Sequence, residues 1–123
     1  MGKYTFRKEE RLTKEKDIQE LFEKGSSFYS YPFKIVHRDH PDQNYPFHQI
    51  LISIPSRNFK RAVDRNLLKR RIREAYRLNK ALLITSKKFL IAYIYTPKEI
   101  LPFDQIQEKL IKGFKRFEHV EKS

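Results

Sequence analysis

RAVDRNLLKRRIREAYR, residues Arg61–Arg77, carries seven basic side chains: Arg61, Arg65, Lys69, Arg70, Arg71, Arg73 and Arg77. Leu67, Leu68, Ile72 and Ala75 recur through it at helical spacing. Stepped at about 100° per residue, Asn66, Arg70, Arg73 and Arg77 fall on one side, with Arg65 and Lys69 at its margin. The apolar residues fall roughly opposite. The spacing predicts a helix over residues 61 to about 79, docked on a sheet through Leu67, Leu68 and Ile72. Its other side then presents a row of guanidinium forks suited to phosphate.

Between Arg57 and Lys80 ten basic residues stand against Asp64 and Glu74, so +8 of the net +12 sits in one connector and one helix. Arg65, Lys69, Arg73 and Arg77 repeat at four-residue intervals, and such like-charge pairs each cost an isolated helix roughly a few tenths of a kcal/mol. A bound polyanion reverses that cost, because each phosphate met releases condensed counterions. Solubility alone needs far less charge. Nucleic acid is therefore the expected partner.

The chain has 123 residues, 39% hydrophobic and 14% aromatic, which suits one folded domain over residues 1–123. It has no cysteine, hence neither disulfides nor thiolate zinc sites. No apolar run reaches the ~18 residues of a spanning helix. "MGKYTFRKEERLTKEK" lacks the apolar core of a secretory signal. A cytoplasmic protein with no membrane partner is expected.

Working outward from the helix, residues 1–11 are expected as a basic arm and 118–123 as a flexible tail. In "LTKEKDIQELFEKG", Ile18, Leu21 and Phe22 mark a helix of about three turns, with Thr13 as N-cap and Gly25 as the stop. "SFYSYPFKIVHR" alternates and reads as one strand, and "DHPDQNYP" as a turn. "FHQILISIP" is a second strand with Ile50, Ile52 and Ile54 on one face, and "KKFLIAYIYTP" a further strand. Phe103, Ile106, Leu110, Ile111 and Phe114 mark a C-terminal helix. This order suits an α+β sandwich with helices on a mainly antiparallel sheet.

The long helix also carries a resemblance. Ala62-Val63, Arg65-Asn66, Lys69-Arg70, Ile72-Arg73 and Tyr76 are similar to the signature of the protein subunit of bacterial ribonuclease P. "RLTKEKDIQELFEKG" resembles that family's N-terminal helix, and the likeness runs over roughly residues 6–117. It implies an α–β sandwich with a central four-stranded sheet, three helices and a left-handed βαβ crossover, like the second domain of ribosomal protein S5. It implies a role in Mg²⁺-dependent removal of the 5′ leader from precursor tRNA. The RNA subunit would be the catalyst and would hold most of the Mg²⁺; no catalytic residue, metal ligand or obligate protein partner is expected of this chain.

By position, the resemblance puts Arg57, Arg61, Arg65, Asn66, Lys69, Arg70, Arg71, Arg73 and Arg77 on the RNA subunit. It puts Ile18, Phe22, Phe33 and Ile35 at a leader-binding cleft between the N-terminal helix and the sheet. Leu67 stands where the family signature has its second Arg, and Arg71, one turn on, is the expected substitute cation. Asn58 and Lys60 replace an expected Lys and Gly of the connector, and Ile18 replaces an aromatic.

Other features point elsewhere only weakly. His37 and His40 near Asp39 and Asp42 lack a third ligand at a known spacing and read as a strand end entering a turn. Tyr29, Tyr31 and Phe33 alternate with Phe28, Ser30 and Pro32, so one set should face the core and the other the surface. No nucleophile elbow or phosphate-cradling glycine loop occurs. Two alternatives use the same helix: a structural ribosomal or ribosome-assembly protein, and a DNA-binding domain, for which base-reading residues are sparse.

Overall fold

The computed structural model describes residues 6–122 of the chain. A short 3₁₀ turn, Lys8–Glu10, leads into α1 (Glu15–Lys24), β1 (Ser26–Ser30), β2 (Phe33–Asp39) and β3 (Gln49–Ser53). Then come α2 (Ala62–Asn79), a second 3₁₀ turn (Lys80–Leu82), β4 (Phe89–Tyr95) and α3 (Phe103–Lys122). The four strands form one mixed sheet in the order β1-β2-β4-β3. β2 pairs antiparallel with β1 and β4, whereas β3 runs parallel to β4. A parallel pair needs a crossover, and α2 supplies it.

Residues 27–38, expected as one strand, form a hairpin instead. Ser30 pairs with Phe33 across Tyr31-Pro32, whose peptide is cis. Proline cannot donate to a ladder, so the chain turns where it stands. The turn breaks the expected alternation. Tyr29 and Tyr31 are exposed, yet Phe33 is wholly buried.

Register fixes which residues share a face. Phe33, Ile35 and His37 oppose Tyr95, Tyr93 and Ile91 on one face; Lys34, Val36 and Arg38 oppose Ile94, Ala92 and Leu90 on the other. The first face is covered by α2 and α3 and forms the main core with Leu68, Ile72, Tyr76, Ile106, Leu110 and Phe114. The second face carries a smaller core of Leu12, Leu21, Val36, Leu90 and Ala92 beneath α1. Ile50 and Ile54 are buried in the main core, and Ile52 packs against it, as their alternation predicts.

Local signals at α1 work differently from expectation. The helix starts after Lys14, with no side-chain cap bond, so Thr13 is not the N-cap. Gly25 ends it, but with φ −74°, which any residue adopts. Glycine is required for space: a Cβ there would lie 2.9 Å from the His37 carbonyl oxygen and closer still to that of Leu21.

Of the expected arm, residues 1–5 lie outside the described residues, and the rest is held to the domain. The Leu12 N–H donates to Ile50 O at 2.9 Å, and Arg11 bridges Ile50 in parallel. Residues 118–122, expected as a tail, continue α3, and Glu118 and Glu121 accept from the backbone N–H groups of Ile84 and Ser86.

Candidate nucleic-acid interface

α2 docks through Leu68, Ile72, Ala75 and Tyr76, all buried. Leu67, expected among the docking residues, is only half-buried, and Val63 one turn earlier is 58% exposed. The two stand on a shallow groove of about 370 Å³ lined by Val63, Asn66, Leu67, Lys69, Arg70 and Arg73. The outward side of α2 is therefore basic with an apolar strip inside it, not uniformly charged.

The arginines divide by what they touch. Arg65 Nη1 donates to the carbonyls of Phe59 and Lys60 at 2.6 and 2.9 Å, fastening the connector to the first turn of α2. Arg71 Nη1 donates to Leu101 O at 2.7 Å, reaching the loop before α3. That loop is also held by Tyr95, whose hydroxyl donates to Glu99 O and accepts from Leu101 N–H. Arg71 thus commits one donor to the fold and, unlike Arg70 and Arg73, does not line the groove. Arg77 makes two 2.8 Å bonds to Glu74, and Arg61 lies 3.9 Å from Asp64. Among the described residues, Arg57, Asn66, Lys69, Arg70 and Arg73 have no hydrogen-bond or ion-pair partner. Helical spacing alone does not single out Arg65 and Arg71, because their partners are backbone carbonyls set by the fold.

The basic surface extends past α2. Partial burial and the neighbouring Arg11 together hold the Arg73 guanidinium below its ordinary value. Arg11 is also seated over Phe6, whose ring meets Tyr76 of α2 edge-on at 5.7 Å. Two cations that repel each other in this way suit a shared anion. Sequence periodicity missed Arg11 because it lies outside the helix.

The expected leader cleft is corrected by one residue of strand phase. Phe33 and Ile35 are 0% and 1% exposed and belong to the core under α2 and α3. Side chains alternate along a strand, so α1 faces Lys34, Val36 and Arg38 instead. Ile18 does pack into the α1 side, half-buried against its small core, and Phe22 is 47% exposed. Arg38 Nη1 bonds Glu20 Oε1 at 2.9 Å and ties α1 to β2.

The histidines have structural partners. His40 accepts from the Asp42 N–H at Nδ1, bonds Gln49 through Nε2 and stacks on Tyr45. His37 packs against Phe117, and its Nε2 is buried without a partner. His48, for which the sequence suggested no role, accepts the Phe89 N–H at Nδ1 and bonds Thr85 through Nε2. Burial first, then Lys88, push His48 down to about 4.

Comparison with known proteins gives a consistent result. A family model described as Ribonuclease P matches residues 6–118. The ribonuclease P protein component of Porphyromonas gingivalis is 33% identical over 114 residues, covering 89% of this chain and 83% of that protein. That of Dictyoglomus turgidum is 35% identical over 116 residues, covering 91% and 92%. The solved ribonuclease P protein of Thermotoga maritima superposes with a TM-score of 0.72 at 29% identity, covering 87% of this chain and 96% of that one.

Proposed function

This chain belongs to the ribonuclease P protein family, and on that basis we propose how its two surfaces divide the work of the holoenzyme. As a component of endoribonuclease P it works with an RNA subunit, and the outward side of α2 is the surface for that RNA. The observation that carries this is the set Asn66, Lys69, Arg70 and Arg73, which project from a buried helix with no protein partner among the described residues. Arg57 in the connector and Arg11 beside Arg73 widen the same surface. Arg65 holds the connector in shape, and Arg61 and Arg77 sit at its edges.

The second surface is the sheet face beneath α1, and its ligand is the 5′ leader of precursor tRNA. Phe22 offers an exposed ring for stacking, and Lys34 an exposed cation from the adjacent strand. Ile18 and Val36 form the apolar wall between them. An extended single strand suits such a surface because it combines backbone charge with unstacked bases.

Mg²⁺ would supply activation of the attacking water and charge stabilisation on the scissile phosphate. Among the described residues no three His, Cys, Asp or Glu side chains converge on a metal-sized site. We place the ion with the RNA. The chain's own contribution is to neutralise phosphates and to hold the leader relative to the RNA. Such help should matter most when Mg²⁺ is scarce, because protein cations and metal ions screen the same repulsion. The setting is the cytoplasm; no helix of the described residues is long and apolar enough to cross a membrane.

The test is cleavage of precursor tRNA by the cognate RNA subunit at low Mg²⁺, with and without the purified chain. The chain should raise the rate. It should raise it less for a precursor whose leader is cut back to a single nucleotide. No stimulation at any Mg²⁺ concentration would overturn the proposal.

A further inference from the structure

Val63 and Leu67 are apolar residues of α2 that neither docking nor phosphate binding explains. They stand four apart on the outward side, one 58% exposed and the other half-buried. Neither is in the main core nor among the residues packed against it. A single exposed aliphatic residue needs no explanation. Here, however, the two line one groove with Asn66, Lys69, Arg70 and Arg73. The groove is shallow and open to solvent, about 370 Å³ in volume.

An apolar strip rimmed by cations is poorly suited to a phosphate alone. Phosphate needs donors and water, and Val63 and Leu67 offer neither. The strip suits the flat, weakly polar face of a nucleobase or ribose. The rim suits the phosphates on either side of it. Asn66 stands at the edge of the strip, and its amide both donates and accepts, as the edge of a base requires. A paired base would keep its faces stacked inside the helix, so the occupant must be an unpaired nucleotide.

We propose that this groove is a nucleotide subsite: one unpaired nucleotide of the RNA subunit lies on Val63 and Leu67, its base edge meets Asn66, and its flanking phosphates meet Arg70 and Arg73. The subsite rests on the assignment of α2 to the RNA subunit and adds to it a contact that charge does not supply. Binding by α2 should accordingly have two parts. One falls with salt and belongs to Arg70 and Arg73. The other is indifferent to salt and belongs to Val63, Leu67 and Asn66.

The salt dependence of binding separates the two. Affinity of the full chain for the transcribed cognate RNA subunit is measured across a KCl series, against an unrelated structured RNA of equal length. Val63→Ala and Leu67→Ala should each weaken binding roughly three- to tenfold, as expected for the two and three methylene equivalents removed from a contact that buries about half of them. The slope of log affinity against log salt should not change. Arg70→Ala should flatten that slope by about 0.7–0.9, the value for one phosphate contact. Leu67→Arg should not bind more tightly than wild type at moderate salt, because it places a charge where a base should lie. Val63 is largely solvent-exposed, so its variant keeps the test free of folding effects; unchanged melting temperatures confirm that. If the wild type prefers the cognate RNA but Val63→Ala and Leu67→Ala bind as well as wild type, or if Leu67→Arg binds more tightly with a steeper slope, the subsite is overturned and the RNA surface stands. If the wild type shows no preference for the cognate RNA, the RNA surface itself fails, and the subsite with it.

Discussion

Lys80 Nζ lies 2.7 and 2.8 Å from the two carboxylate oxygens of Glu10, a residue only 2% exposed, and so fastens the N-terminal segment to the end of α2. The same carboxylate accepts the Arg7 N–H at 2.8 Å. The pair joins the segment carrying Arg11 to the helix carrying Arg73. It sets where the two cations stand relative to each other.

Glu10→Ala should therefore loosen this segment as well as lower stability. Breaking an enclosed ion pair costs about 3–5 kcal/mol, and about 2–3 is expected here because Lys80 can still reach water. Hydrogen exchange at the Leu12 amide, bonded to Ile50 O, should quicken in the variant. Unchanged protection at Leu12 would show that other contacts hold the segment.

Arg71 and Arg70 are neighbours in sequence with opposite expected phenotypes. Arg71→Ala removes the bond to Leu101 O and should cost about 1–2 kcal/mol of stability. Its RNA affinity, measured where both variants are folded, should equal wild type. Arg70→Ala should melt as wild type does and bind RNA more weakly. Loss of RNA affinity in folded Arg71→Ala would restore the cation role that the sequence suggested.

Phe22 and Phe33 separate leader binding from core packing in the same way. Phe33 is wholly buried among Tyr93 and Tyr95, so Phe33→Ala should cost about 3–5 kcal/mol. Phe22→Ala should leave the melting temperature nearly unchanged and weaken binding of precursor tRNA with a full leader, but not of mature tRNA. Equal effects on both RNAs would count against the cleft.

Stability should fall in mild acid because of His48. Its folded value of about 4 lies below the ordinary 6.5, so the unfolded chain takes up the proton first. The contribution is complete above about pH 6.5, declines as pH falls toward 4, and changes no further below that. It amounts to at most about 2 kcal/mol once partial exposure is allowed for. His37, lowered chiefly by burial, acts with the same sign. Thermal melts between pH 7.5 and 4.5 at fixed ionic strength should show a shallower decline for His48→Gln. Parallel curves for the two proteins would locate the acid sensitivity elsewhere.

Gly25→Ala should be among the more damaging single-methyl additions. The new Cβ meets two backbone carbonyls, of Leu21 and His37, neither of which can swing aside. A cost of about 2–3 kcal/mol is expected, at the upper end for overpacking. A chemical denaturation midpoint equal to wild type would show that α1 can shift to make room.

Period alone located α2, β3, β4 and α3, because each has an apolar stripe that one sheet or helix face must bury. The charge on α2 was equally legible, since helical spacing gathers Asn66, Lys69, Arg70 and Arg73 on one side whatever the helix packs against. The family signature was legible for the same reason: it is a local pattern on one helix.

Other properties depended on contacts between residues far apart in sequence. The turn at Tyr31-Pro32 resets the alternation, so Phe33 and Ile35 face the core and Lys34 and Val36 face α1. Which arginines remain free was decided by carbonyls that the fold brings near: Leu101, thirty residues from Arg71, and Phe59 and Lys60 beside Arg65. Sequence spacing fixes the direction of a side chain on its own element. Only the packed structure supplies the acceptor that holds it there or leaves it open to RNA.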